Sequence, residues 1–265
     1  MYIEVAAHRG NMALYPENTM AAYRSAYEIG VDMIELDLHM TKDGEIVLIH
    51  DGDLARTADV SGKIRALTLA EILRADVGIK RGEEFRGMRV PTLEEFCRFV
   101  ASEKATMQFN FEFKDYFSED EAWAKISADK IIETVDRYGL WDRSFVNSFD
   151  GQLLSYVEKK YDGRFRLHGF YPYSILGQTR PERLYCACLW KYSNPDGTPA
   201  FDGVVNPQSD FAALIAEGVR PWVGASIRKI EDMVRAASFG AELITSNEPE
   251  TMIAALAEAG LREKE

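Results

Sequence analysis

Short apolar runs alternate with helix-patterned segments along almost the whole of this 265-residue chain. That alternation constrains the fold more than any other feature. A strand, a crossover helix and a second strand build a parallel sheet with helices laid over it. The strand-like runs are 2–7, 32–38, 106–114, 144–149, 164–171, 202–207, 219–225 and 241–246. Helical patterns cover 17–29, 92–103, 119–138, 151–161, 209–217, 227–238 and 249–259, and the aromatic-rich stretch 172–201 reads as irregular with some helix. Eight β-α units in about 260 residues fit a TIM (β/α)8 barrel. A doubly wound open sheet would carry a glycine-rich turn after its first strand, and none is present.

One connection breaks the alternation. "TKDG" (41–44) leads straight from the second strand into "EIVLIH" (45–50). Parallel strands need a crossover of about a dozen residues, so this run is expected as an antiparallel arm rather than a barrel strand. Residues 51–91, polar and turn-rich, then read as a small insertion or lid. Asn18 is expected to cap the first helix and Gly30 to stop it, while Thr92 and Glu95 resemble a capping box.

The composition, 46% apolar and 28% charged, supplies a sizeable core, and 1–265 reads as one domain. A formal charge of −12 argues against nucleic acid or an anionic membrane surface as the partner. Three sparse cysteines make no disulfide framework and no zinc site; Cys186 and Cys188 alternate in an apolar run and are expected to be buried. No secretory leader and no integral membrane segment is read, so a cytoplasmic protein is expected.

In a barrel the chemistry gathers at the C-terminal ends of the strands. Here the first strand ends in His8 and Arg9. The second carries Glu35, Asp37 and His39 at a spacing of two, hence on one face, and the next barrel strand ends with Glu112 and Lys114. The arm ends in His50 and Asp51. Carboxylates on strands otherwise made of Ile, Leu and Phe are costly to bury unpaired. Either a hard divalent cation, Mg²⁺ or Ca²⁺, or a salt-bridged network with Arg9 and Lys114 resolves Glu35, Asp37 and Glu112. Two imidazoles beside such a cluster suit proton transfer in phosphodiester cleavage, one accepting and one donating. His39 reads as a support residue and His168, inside an apolar strand, as a packing residue.

These segments, "AHRG", "PENT", "IELDLHMTKDGEIVLIHD", "FEFK", "NSF", "PW" and "ITSNEP", in this order, resemble the glycerophosphodiester phosphodiesterases along the whole chain. The resemblance implies a TIM barrel with an insertion after the second strand. It implies hydrolysis of a small glycerophosphodiester to sn-glycerol 3-phosphate and an alcohol, with a divalent metal. It carries the acid/base pair onto His8 and His50 and the metal ligands onto Glu35, Asp37 and Glu112. It places Arg9 and Lys114 at the phosphate, Trp222 as an apolar wall for the glycerol, and Glu17 as a support of the site. The alternative within the same chemistry is a barrel phosphodiesterase acting on lysophospholipids. Oligomeric state is left open, a homo-oligomer included. The sequence departs from the family pattern at Gly224 and Ala225, where polar residues are common, and at Asn247, where Asp is frequent.

Overall fold

The computed structural model describes residues 2–190 and 203–263. Its strands are β1 (Glu4–Ala7), β2 (Met33–Met40), β3 (Ile46–Leu48), β4 (Gln108–Phe113), β5 (Ser144–Asn147), β6 (Arg166–Tyr171), β7 (Cys186–Leu189), β8 (Arg220–Val223) and β9 (Leu243–Ser246). Its helices are α1 (Met20–Glu28), α2 (Leu69–Ile72), α3 (Leu93–Ser102), α4 (Phe117–Arg137), α5 (Gly151–Lys160), α6 (Gln208–Ala216), α7 (Ile230–Ser238) and α8 (Pro249–Glu258). All strands but β3 pair in parallel, and pairing of β1 with both β2 and β9 closes the eight of them into a TIM barrel. The arm is antiparallel, as its short connection requires. β3 pairs with Leu38, His39 and Met40 at the end of β2, beyond the Met33 and Ile34 to which β1 pairs. Gly44, at φ +82°, turns the chain between them.

Two expectations about the strands and helices are corrected. The sixth barrel strand is Cys186–Leu189, not 202–207. Asp202 lies outside the described residues, and 203–207 form no strand. There Val205 is buried in the core, and Asn206 donates to the Trp190 carbonyl at 3.1 Å and to Asp210 at 2.9 Å. β6 is followed by a 3-10 turn, Tyr173–Leu176, and no α-helix is described between it and β7. The stretch 172–201 therefore contains a barrel strand, and its residues 191–201 lie outside the described residues. At α1 the capping residue is Thr19, whose hydroxyl accepts from the Ala22 amide at 3.3 Å, and Asn18 is turned to a different task.

The barrel interior is layered. At the bottom, polar side chains reach across it: Gln108 donates to Glu4 at 3.1 Å and Arg166 to Gln108 at 3.0 Å. Above lies an aromatic layer in which Phe145 meets Trp222 edge-on at 5.9 Å and His168 stacks on Trp222 at 4.0 Å. This layer separates the polar bottom from the charged side chains at the top, at the C-terminal strand ends. Around the barrel, Phe96, Ile131, Leu153 and their neighbours bury the inner helix faces. Residues after β3 wind through 3-10 turns and α2 around a separate apolar cluster that includes Ile49, Leu54, Ile64, Ile72 and Val77. Among the described residues no helix is long and apolar enough to cross a membrane.

The turn out of β1 is set by a glycine. Arg9 and Gly10 both take left-handed conformations, at φ 54° and 78°. A Cβ on Gly10 would lie 2.7 Å from the backbone carbon of Ala22, so neither the dihedral nor the space admits a side chain. Gly10→Ala is expected to cost about 2–4 kcal/mol in urea unfolding, since α1 must move off the turn.

Candidate active site

The C-terminal ends of the strands surround a cavity of about 870 Å³. Its walls include His8, Arg9, Glu35, His39, His50, Glu112 and Lys114, so the residues singled out in the sequence from the first, second and third helix-linked strands and from the arm converge on one space.

Glu35, Asp37 and Glu112 are all buried, and each offers an oxygen within 4.8 Å of the others. Their surroundings differ. Asp37 is flanked by Lys114 Nζ at 3.1 Å and Arg9 Nε at 3.3 Å. Asn18 Nδ2 donates to it at 2.8 Å, and the Asn18 oxygen accepts from Tyr23 at 2.7 Å. Burial pushes the Asp37 carboxyl up, but Lys114 and Arg9 outweigh it and hold the group below the usual range. Lys114 also donates to Glu112. Glu35 has no such cation. One oxygen accepts from the Arg9 amide at 2.8 Å, and the other is buried with no hydrogen-bond partner. Burial, then Asp37 and Glu112, raise its carboxyl well above the ordinary value. Arg9 and Lys114 thus neutralise part of the cluster and leave Glu35 uncompensated. An all-oxygen donor set in which a buried Glu35 oxygen has neither a hydrogen bond nor an ion pair fits a hard divalent cation.

The imidazoles of His8 and His50 line the same cavity, each held by Nδ1. His8 Nδ1 is 2.6 Å from Asn247 Oδ1, and its Nε2 faces Glu35 at 4.0 Å. An amide oxygen accepts only, so His8 carries its proton on Nδ1 and turns a free lone pair on Nε2 to the cavity. Burial, then the Arg9 charge, push His8 down to about 4. His50 Nδ1 is 2.6 Å from Asp51 Oδ1. Burial raises the Asp51 carboxyl, but hydrogen bonds from Arg56 and His50 hold it down to about 2, so His50 faces an anion. Of the two supports, His39 Nδ1 lies 3.0 Å from Asp115, and its Nε2 lies 3.2 Å from the His50 carbonyl oxygen. The ring thus bridges Asp115 and the backbone at His50. Glu17 accepts from Arg9 Nη1 at 2.9 Å.

Trp222 takes a place different from the expected one. It is 1% exposed and lies beneath His168, with its Nε1 donating to Thr245 at 2.7 Å. The ring that reaches the cavity wall is that of His168, which burial pushes down to about 3 and which is therefore neutral. The apolar wall is built instead by Phe149 and Phe170, stacked at 3.7 Å, with Trp190 edge-on to Phe149 at 5.0 Å. Asn18, Asp51, Arg56, Asp115 and Asn247 were not assigned to the site from sequence. Asn18 stands in the quoted "PENT" and Asn247 in "ITSNEP".

Residues 8–251 match the family model described as "Glycerophosphoryl diester phosphodiesterase family". A "Glycerophosphodiester phosphodiesterase" of Caldanaerobacter subterraneus subsp. tengcongensis is 32% identical over 249 residues, 94% of this chain and 96% of that protein. Among solved structures, an Oleispira antarctica phosphodiesterase in complex with the product sn-glycerol-3-phosphate superposes with a TM-score of 0.79 at 21% identity, covering 97% of each chain. A glycerophosphodiester phosphodiesterase from Agrobacterium tumefaciens gives a TM-score of 0.75 at 21% identity, covering 95% of this chain and 99% of that one. At that identity the structural likeness speaks for the fold.

Proposed function

Because this chain belongs to the glycerophosphoryl diester phosphodiesterase family, we propose that it hydrolyses glycerophosphodiesters to sn-glycerol 3-phosphate and an alcohol, using His8 and His50 as the proton-transfer pair. The observation that carries the reading is the placement of two Nδ1-anchored imidazoles beside a buried carboxylate cluster and two cationic side chains in one cavity. Residues 1–265 act as one barrel domain, with 51–91 as its insertion.

Arg9 and Lys114 bind the phosphate oxygens and offset their charge, the term that matters most as charge builds in the transition state. Their own positions are fixed by Asp37, Glu17 and Glu112. The two imidazoles divide the proton work. Burial and the Arg9 charge keep the His8 ring neutral, so its Nε2 accepts the proton of the attacking hydroxyl, either water or the glycerol 2-hydroxyl. His50, held through Nδ1 by Asp51, donates to the leaving alcohol oxygen. Glu35, Asp37 and Glu112 would hold a divalent cation, Mg²⁺ or Ca²⁺. When bound it would supply Lewis-acid polarisation of the phosphoryl oxygen. His39 and Glu17 act behind these groups. The thiols of Cys97, Cys186 and Cys188 are free and buried, which supports a reducing, cytoplasmic setting.

The Phe149–Phe170–Trp190 wall leaves two substrate classes to separate by assay. Glycerophosphocholine is expected to be cleaved with the higher kcat/KM, releasing glycerol 3-phosphate. A higher kcat/KM on lysophosphatidylcholine would assign the wall to an acyl chain and the enzyme to lysophospholipids. Absence of turnover on both would overturn the reading.

A further inference from the structure

We infer that Arg56 is a positioning residue of the site: it holds Asp51, and through Asp51 the His50 imidazole, and it fastens both to the barrel at Glu17. The inference rests on the reading of His50 as the proton donor. Arg56 does not line the cavity.

The guanidinium is shared edge by edge between two carboxylates. Toward Asp51, Nε donates at 2.5 Å and Nη2 at 3.2 Å. Toward Glu17, Nη1 donates at 2.8 Å and Nη2 at 2.6 Å. Both acids are also committed to site residues, Asp51 Oδ1 to His50 Nδ1 at 2.6 Å and Glu17 Oε1 to Arg9 Nη1 at 2.9 Å. The order His50–Asp51–Arg56–Glu17–Arg9 is therefore continuous, and Arg56 is its midpoint. Without Arg56 the two carboxylates would face each other across a vacated space, and Asp51 would be free to turn away from the imidazole.

The backbone that presents Arg56 is also fixed. Arg56 ends a 3-10 turn, Leu54–Arg56, whose cap Asp53 accepts from Ala55 at 2.8 Å and Gly62 at 3.2 Å. Leu54 is buried in the insertion's own apolar cluster. Glu17, by contrast, lies just before α1 on the barrel. Arg56 thus carries the geometry of the insertion onto a proton-transfer group at the strand ends. A planar fork with donors on two edges can do this; a lysine ammonium, a point charge, cannot span both acids.

The test uses Arg56→Met and Arg56→Lys, alone and in a His50→Ala background, with glycerophosphocholine and with an activated p-nitrophenyl glycerophosphodiester. On glycerophosphocholine, kcat is expected to fall roughly 10- to 100-fold in both variants, with KM changed less than about threefold. The deficit shrinks on the p-nitrophenyl ester, whose leaving group needs no proton. In the His50→Ala background Arg56→Met adds no more than about twofold. Guanidinium ion in solution restores part of the Arg56→Met loss and methylammonium does not. Wild-type kcat in Arg56→Met or Arg56→Lys overturns the inference, as does an undiminished Arg56→Met deficit without His50. If His50→Ala itself retains wild-type turnover, the proton-donor reading fails and the inference falls with it. A silent Arg56 beside an impaired His50→Ala sinks the inference alone.

Discussion

His50→Ala lowers kcat on glycerophosphocholine by roughly 10²–10⁴-fold, the usual range for one positioned acid or base, while thermal unfolding stays within a few degrees of wild type. The small stability effect follows from its position: the His50 side chain is 34% exposed and its one side-chain bond goes to Asp51, which keeps Arg56. The large kinetic effect follows from the leaving group. An alkoxide is too basic to depart unprotonated, and His50 is the ring assigned to protonate it. On a p-nitrophenyl ester the His50→Ala deficit is expected to shrink. His8→Ala, which removes the acceptor, is expected to lose a similar factor on both substrates. Steady-state kinetics of the two variants on the two esters check this. Equal losses for His50→Ala on both esters, with the p-nitrophenyl ester rescuing His8→Ala instead, would exchange the two roles.

The second large effect concerns the carboxylate cluster. Chelation is expected to abolish turnover, and Mg²⁺ or Ca²⁺ to restore it. Glu35→Gln separates this from simple damage to the fold. Its carboxyl is raised by burial and by Asp37 and Glu112, it lacks a cation of its own, and it can keep an oxygen for the Arg9 amide. Glutamine is therefore expected to leave the metal-free protein as stable as wild type or slightly more so. A ligand that binds the native state alone raises the melting temperature by mass action. That rise on adding Mg²⁺ or Ca²⁺ should be present in wild type and lost in Glu35→Gln, together with activity. Differential scanning fluorimetry with and without the ion reads it directly. Asp37→Asn is the contrasting case: it strands Arg9 and Lys114 around a buried neutral group and is expected to destabilise by about 3–5 kcal/mol. Equal stability losses in both variants would return the cluster to a purely structural ion network.

The parts of this site that were legible in the sequence are those that break a local pattern. Charged residues at the ends of apolar strands stand out, because nothing in a barrel wall needs Glu35, Asp37, Glu112 or Lys114. "TKDG" was legible for the opposite reason: too few residues to cross over leaves one antiparallel solution. The strand Cys186–Leu189 was not, because "CACL" is short and holds no β-branched residue, whereas "DGVVNP" offers two valines, of which Val205 is buried in a loop and Val204 is exposed. Asn18 fitted the helix-capping pattern equally well. Only the turn through Arg9 and Gly10, which brings the Asn18 amide to the Arg9 carbonyl at 3.0 Å, aims its side chain at Asp37 rather than at α1. Trp222 shows the limit of carrying a residue's role over from a resemblance. The Trp lies inside the barrel, but one layer below the cavity, with His168 above it. Arg56 is a surface-type residue in an irregular segment, and its role exists only through the spatial meeting of Glu17 and Asp51.

The most direct measurement is ³¹P NMR of glycerophosphocholine turnover in ¹⁸O-enriched water, with Mg²⁺ or Ca²⁺ and with chelator. The account predicts a single final phosphorus product, sn-glycerol 3-phosphate bearing ¹⁸O on phosphorus, formed only in the presence of the ion. Choline phosphate as the product, or glycerol 3-phosphate formed at the same rate under chelation, would contradict it.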